Sequence, residues 1–246
     1  MTENGAQLFA RLKGRQSLKD IEPCIFPEDG GPSQGDVVEF HGTEGTGKTE
    51  TLYHLVTQCI LPAQCGGLEV EVIFIDTDYH FDMLRLVTVL EGRLSDSMEK
   101  RAEENETEEK VRSCLHRLSV VHCSSSVQLL FTLHYLENSF CCQPSLCLLV
   151  IDSISAFYWV DRSNGGESIT RQEANLRKCV ELLDRFRRDY GVAVFASTHA
   201  IMRNYTAASD ATSECMTRSA VDFDKPYLCR AWQRIVTHRL LFSKRY

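Results

Sequence analysis

Residues 42 to 49 have the types and spacing that bind phosphate groups. They read Gly-Thr-Glu-Gly-Thr-Gly-Lys-Thr, which fits the pattern G-x-x-x-x-G-K-T. Glycines let the backbone turn tightly and point N–H groups at phosphate oxygens, the lysine supplies a positive charge, and the threonine hydroxyl can ligate Mg²⁺. The candidate nucleotide-binding residues are Gly42, Thr43, Glu44, Gly45, Thr46, Gly47, Lys48 and Thr49.

A carboxylate further along the chain matches the second half of such a site. The apolar run from residue 146 to 151 ends at Asp152. In a protein with a phosphate-binding loop, an acid at the end of a buried strand holds the Mg²⁺ shell. The sequence therefore predicts ATP and Mg²⁺ as cofactors, with Thr49 and Asp152 as the magnesium ligands.

A phosphate-binding loop needs a strand before it and a helix after it. Residues 36–40 are β-prone, and apolar residues after Thr49 recur at helical spacing until Pro62. Later apolar runs alternate with helical patterns, which favours a parallel α/β sheet. Further strands are expected at residues 68–75, 118–123, 146–151, 191–197, 234–237 and 239–242. We expect one domain over residues 36–246, preceded by a helix and linker segment over residues 1–35.

Composition limits the class of protein. The chain has 246 residues, a net charge of −7 and 11 cysteines. It contains no run of the roughly 18 apolar residues that a membrane helix needs, and its first residues show no export signal. An acidic chain is unsuited to act alone as a dominant binder of the nucleic-acid backbone. We therefore expect a cytosolic or nuclear protein with reduced thiols and no membrane partner.

The last residues depart from this acidic average. From Lys225 to Tyr246 there are six Lys or Arg residues and no Asp or Glu. Two interpretations stay open for this basic tail. It can be a final strand with solvated cations, or it can form a weak patch for DNA phosphates. The cations concerned are Arg234, Arg239, Lys244 and Arg245.

The order of these motifs resembles that of the eukaryotic RecA-class recombinases that exchange DNA strands. Ile-Asp-Thr-Asp at residues 75–78 follows the loop by one strand, and residues 151–158 and 195–199 follow in the family's order. The resemblance runs from about residue 35 to the end. It implies a RecA-like P-loop NTPase core, in which a mostly parallel sheet is flanked by helices and followed by C-terminal β-strands.

The resemblance also assigns roles to residues that differ from the family pattern. The family's catalytic glutamate falls at Asp78, and its glutamine that senses the γ-phosphate falls at His199. Aspartate sets the carboxylate back by about 1.5 Å, and a misplacement of roughly 1 Å can cost a hundredfold in rate. The first DNA-binding loop corresponds to residues 161–167, which hold one cation, Arg162. The second follows His199 and holds Arg203 and Arg218. We expect weak or absent ATP hydrolysis.

By this resemblance the chain is an ATP-binding subunit of a complex of recombinase paralogues. The complex would act with the filament of the strand-exchange recombinase in homologous recombination and in repair of double-strand breaks and damaged replication forks. Single-stranded or branched DNA would be bound mainly through the complex, in the nucleus and also in the cytoplasm.

Two other functions compete with the subunit role. One is an active ATPase that depends on single-stranded DNA, with Asp78 as the general base. The other is a small-molecule kinase, although the segment from residue 98 to 110 is acidic where a kinase lid would offer arginine to phosphate.

Overall fold

A computed structural model describes residue 5 and residues 15–26, 31–97, 104–200 and 227–244. The short amphipathic helix expected around residues 8–12 lies outside the described residues, as does the second expected DNA-binding loop with Arg203 and Arg218.

The elements alternate between strands and helices, as the sequence predicts. The strands are β1 (Val37–Gly42), β2 (Glu71–Asp76), β3 (Leu118–His122), β4 (Leu146–Asp152), β5 (Ala193–His199) and β6 (His238–Phe242). The helices are α1 (Lys48–Ile60), α2 (Met83–Ser97), α3 (Glu104–Leu115), α4 (Ser126–Cys142), α5 (Tyr158–Asn164), α6 (Ile169–Gln172), α7 (Ala174–Asp189) and α8 (Arg230–Ile235), with a 3-10 turn at Ala63–Cys65.

The six strands form one parallel sheet in the order β3-β2-β4-β5-β1-β6. Its register brings the important strand ends together. Gly42 pairs with His199 on one side and with Phe242 on the other, and Asp76 pairs with Asp152. Because the carboxyl ends of parallel strands share one edge, the phosphate-binding loop and the predicted acids meet there. The predicted parallel α/β fold is confirmed.

Both faces of the sheet are covered, which explains why its central strands read as unbroken apolar runs. In β4, Leu148 and Val150 pack into the core under α1, α2 and α3, whereas Leu149 and Ile151 pack into the core under α4, α7 and α8. Within the described ranges, no helix has the length and apolar character required to cross a membrane.

The residues before β1 take part in the first of these cores. Leu18, Ile21 and Phe26 are buried there. Arg15 is also buried, and its guanidinium donates to the backbone carbonyls of Phe140 and Gln143 at the end of α4. Part of the segment 1–35 is therefore packed against the sheet domain.

Two sequence-based expectations about local structure are wrong. Residues 234–237 do not form a strand, because Arg234 and Ile235 end helix α8. Trp232 and Ile235, three positions apart, are both buried on one face of that helix. Residues 161–167, expected as the first DNA-binding loop, are not simply a loop, since α5 extends to Asn164.

The apolar residues near α2, Phe81, Leu84, Val87 and Leu90, are spaced in threes, but they do not share one face. Phe81 precedes the helix, and Leu84 is 79% exposed. The buried residues are Leu86, Val89, Leu90 and Leu94. Spacing by threes drifts around a helix of 3.6 residues per turn, whereas the observed set keeps to one face.

Candidate functional site

The phosphate-binding loop connects β1 to α1 in a shape that requires glycine. Gly45 and Gly47 have φ angles of 65° and 91°, a region that other residues rarely adopt. A Cβ on Gly42 would lie 2.4 Å from the backbone oxygen of Phe242, so no side chain fits there. Gly47 caps α1 without a side-chain hydrogen bond to the first turn, which leaves N–H groups of that turn available to an anion.

Lys48 is folded back over this loop. Its Nζ atom donates to the backbone oxygens of Gly42 and Thr43, both at 2.8 Å, and the residue is buried. Burial lowers the pKa of Lys48, while the carboxylates of Asp152 and Glu44 act in the opposite direction. A buried ammonium beside exposed loop N–H groups is suited to bind phosphate oxygens.

Thr49 and Asp152, the two predicted magnesium ligands, contact each other. Thr49 Oγ1 donates to Asp152 Oδ2 at 2.7 Å, and Ser197 donates to the other carboxylate oxygen. Burial raises the pKa of Asp152, and the hydrogen bonds from Ser197 and Thr49 oppose that rise. Sequence analysis missed Ser197, although a hydroxyl near the end of the apolar strand β5 was a signal that could have indicated it.

Asp78 and His199, the two departures from the family pattern, also contact each other. His199 Nε2 lies 3.2 Å from Asp78 Oδ2. Burial opposes ionisation of Asp78, but hydrogen bonds with His199 and Ser153 outweigh it and lower the pKa of Asp78. Nδ1 of His199 is buried and has no hydrogen-bond partner among the described residues.

The described residues include part of the expected DNA-binding surface. Arg162 lies on α5, where it donates to Tyr158 Oη at 2.8 Å and stands 5.7 Å from the ring centre of Trp159. In the basic tail, Arg239 forms an ion pair with the buried carboxylate of Glu39, so its charge stabilises the fold. Arg234 and Lys244 are exposed, and Arg245 is outside the described residues.

The buried carboxylate leads to a first testable prediction. We expect Asp152→Asn to raise the free energy of unfolding of the nucleotide-free protein by about 1 kcal/mol at pH 7. The change removes a desolvated charge and keeps the shape, and the hydroxyl facing the new amide nitrogen can turn to accept its hydrogen bond. The pKa of Asp152 is raised in the folded protein, so its ionised carboxylate destabilises the wild type at pH 7. This destabilisation is lost as the pH falls through the raised pKa to the ordinary aspartate pKa. The gain should vanish below about pH 4.

The measurement is urea denaturation of both proteins at several pH values. In the same samples, stabilisation by ATP that depends on Mg²⁺ should be weaker in the variant, because Asp152 is an expected Mg²⁺ ligand. A variant that is less stable than the wild type at pH 7 would contradict the prediction.

Comparison with known proteins decides the family. The sequence profile of the Rad51 family matches residues 28–244. The chain belongs to the Rad51 family. This membership confirms the resemblance to RecA-class recombinases and agrees with the parallel sheet and the loop between β1 and α1. A Rad51-family fold also explains why the predicted site residues meet at one edge of the sheet.

Several Rad51-family relatives are similar to the chain over most of its length. It is 53% identical to the DNA repair protein XRCC2 of Mus musculus. The aligned region has 245 residues and covers 98% of this chain and 84% of the mouse protein. It is 28% identical to the XRCC2 homolog of Arabidopsis thaliana, over 85% of this chain and 69% of the plant protein. The DNA repair protein RAD51 of Saccharomyces cerevisiae is 27% identical over 172 residues, or 70% of this chain and 39% of the yeast protein.

Proposed function

We propose that this chain acts in DNA repair by homologous recombination, as an ATP-binding subunit of a complex of recombinase paralogues. It assists the strand-exchange recombinase at double-strand breaks and damaged replication forks, mainly in the nucleus. The observation that carries the proposal is a complete phosphate-binding loop with a paired Thr49 and Asp152, next to an altered catalytic pair of Asp78 and His199. The relatives named above are DNA repair proteins.

The residues present fit ATP and Mg²⁺. The Lys48 ammonium and the N–H groups before α1 suit the phosphates. The oxygens of Thr49 and Asp152 are hard ligands of the kind that Mg²⁺ prefers. Nδ1 of His199, buried without a partner in the described residues, offers a further polar contact. When bound, Mg²⁺ neutralises phosphate charge, and the protein groups orient the nucleotide.

The same site is poorly equipped for hydrolysis. Asp78 is shorter than the family's glutamate, and it is hydrogen-bonded to His199 and Ser153. A carboxylate with a lowered pKa is a weaker general base near neutral pH. Bound ATP would then act mainly by stabilising the folded subunit and its assembly, since a ligand that binds only the native state adds to its stability.

The charge of the chain supports indirect DNA binding. Its net charge is −7, and Arg239 in the basic tail is paired internally with Glu39. Backbone binding to DNA depends on free Lys and Arg side chains. We therefore propose that DNA, single-stranded or branched, is held mainly through the partner paralogues and the recombinase filament.

An active ATPase that depends on single-stranded DNA is the second candidate. The contact between His199 and Asp78 favours it, because a carboxylate held by an imidazole can orient water. Membership of the Rad51 family argues against the small-molecule kinase.

ATP turnover by the chain copurified with its partners separates the two candidates. We expect a low wild-type rate, a rate about tenfold higher in Asp78→Glu because the carboxylate regains its reach, and no turnover in Lys48→Ala. A high wild-type rate that single-stranded DNA stimulates would establish the active ATPase instead. Equal rates in all three proteins, with the complex intact, would assign any turnover to another subunit.

A further inference from the structure

The C-terminal strand is packed directly against the phosphate-binding loop. Gly42, the first residue of the loop, pairs in register with Phe242, the last residue of β6. A Cβ on Gly42 would meet both the backbone oxygen of Phe242 at 2.4 Å and its Cβ at 2.8 Å. The Phe242 ring also lies 5.9 Å from the ring of Phe40 in β1. The chain beyond Phe242 therefore leaves the sheet at the edge that carries the loop.

This arrangement brings a second ammonium group to the loop. Nζ of Lys244 would lie 3.0 Å from a Cβ built on Gly45, and its Cε would lie 3.5 Å away. Gly45 is in the middle of the loop and is exposed, as are Glu44 and Lys244. Within the described ranges, Lys244 forms no ion pair with a carboxylate. The Lys244 ammonium is thus exposed and close to the loop, and no carboxylate of the described residues neutralises it.

We infer that Lys244 is a second cation of the phosphate site and contacts the phosphate chain of a bound nucleoside triphosphate. This inference rests on the ATP binding proposed above. Lys48 is buried and already bonded to the carbonyls of Gly42 and Thr43, and Glu44 places a negative charge on the same loop. The exposed Lys244 ammonium beside Gly45 adds a second positive charge at the loop, which attracts a polyanion and opposes the repulsion from Glu44.

The inference links the nucleotide to the edge strand β6. Lys244 is two residues beyond the end of that strand, and among the described strands β6 pairs only with β1. A contact between Lys244 and the phosphates would hold the end of β6 against the loop. Nucleotide binding would then slow local opening of this strand.

Titration of the full 246-residue chain with Mg²⁺ and ATP tests the contact. We expect Lys244→Ala to weaken ATP affinity by about three- to tenfold, the range for an exposed charged contact. Lys244→Arg should stay within about twofold of wild type, because the charge is kept. Lys178→Ala is the matched control, since Lys178 is an exposed lysine on α7, and it should leave the affinity unchanged.

The second measurement is amide exchange over residues 238–244. ATP should slow exchange in the wild type and in Lys178→Ala but not in Lys244→Ala. Wild-type ATP affinity in Lys244→Ala overturns the inference while leaving the proposed function standing. The inference is also overturned if Lys244→Ala binds ATP like the wild type but loses affinity for a single-stranded oligonucleotide. The phosphate contacted by Lys244 would then belong to DNA. Absence of ATP binding by the wild type contradicts both.

Discussion

Lys48→Ala is expected to lower the affinity for ATP by about tenfold to a hundredfold, since hydrogen bonds to a charged group contribute about 1.5–3 kcal/mol. Lys48 is the buried cation of the loop, and its ammonium stands 2.8 Å from the backbone oxygens of both Gly42 and Thr43. Nucleotide phosphates would be its anionic partners. Without this charge, the loop N–H groups and the end of α1 remain as the main attraction for phosphate.

The change should be visible as a loss of thermal stabilisation. In the wild type, Tm should rise with ATP and Mg²⁺, because the ligand binds the folded state. In Lys48→Ala the rise should be much smaller at the same concentrations. Lys178→Ala, at an exposed position on α7, serves as the control and should behave as wild type. An equal rise in Tm for Lys48→Ala would show that the loop is not the nucleotide site.

The folded state of the nucleotide-free protein should survive the Lys48 substitution. Burial lowers the pKa of Lys48, which means that the folded protein pays a desolvation cost for its charge. Alanine removes both that cost and two hydrogen bonds to carbonyls. We expect the two effects to offset each other largely, so that far-ultraviolet circular dichroism and the urea midpoint stay near the wild-type values. A loss of ATP response can then be assigned to the site.

Trp232→Ala should destabilise the protein by about 4 kcal/mol or more. Trp232 is fully buried on α8, and replacing a buried tryptophan with alanine typically costs about 3–5 kcal/mol. Its Nε1 also donates to Glu39 Oε1 at 3.0 Å. Glu39 is buried, and its other oxygen accepts from Arg239 on β6. The substitution leaves one oxygen of a buried carboxylate without a donor, which adds to the cost.

Two further variants separate packing from hydrogen bonding. Trp232→Phe keeps most of the ring volume but removes the N–H donor, and it should cost about 1–2 kcal/mol. Trp159→Ala is the matched control, because Trp159 is 58% exposed, and surface changes usually stay within roughly 0.5 kcal/mol. Urea unfolding followed by circular dichroism gives all three values. If Trp232→Ala and Trp159→Ala cost the same, the assigned role of Trp232 in the core is wrong.

The cluster of Trp232, Glu39 and Arg239 also adjoins the proposed nucleotide site. Glu39 lies on β1 and Arg239 on β6, so this ion pair joins the strand that precedes the loop to the strand that ends beside it. Phe242, at the end of β6, contacts Gly42 at the start of the loop. Weakening the cluster should therefore reduce ATP affinity as well as stability, although neither Trp232 nor Glu39 belongs to the loop.

Much of this protein follows from local patterns in its sequence. The glycines, Lys48 and Thr49 of the loop act through backbone geometry and charge over eight consecutive positions, so the motif is readable without a fold. The buried run that ends at Asp152 is equally local. Alternating strands and helices imply a parallel sheet, and parallel strands bring their carboxyl ends to one edge. The meeting of Thr49 with Asp152 could therefore be predicted.

Tertiary structure decided the features that depend on contacts between distant residues. Asp78 and His199 are 121 positions apart, and only the order of the strands brings the two substitutions into one hydrogen bond. The tail carries strand-like residues, yet packing of Trp232 against the second core makes its first part a helix and makes Arg239 a partner of Glu39. Lys244 reaches the loop because β6 pairs with β1. Such contacts arise from register and packing, which no local pattern of residues encodes.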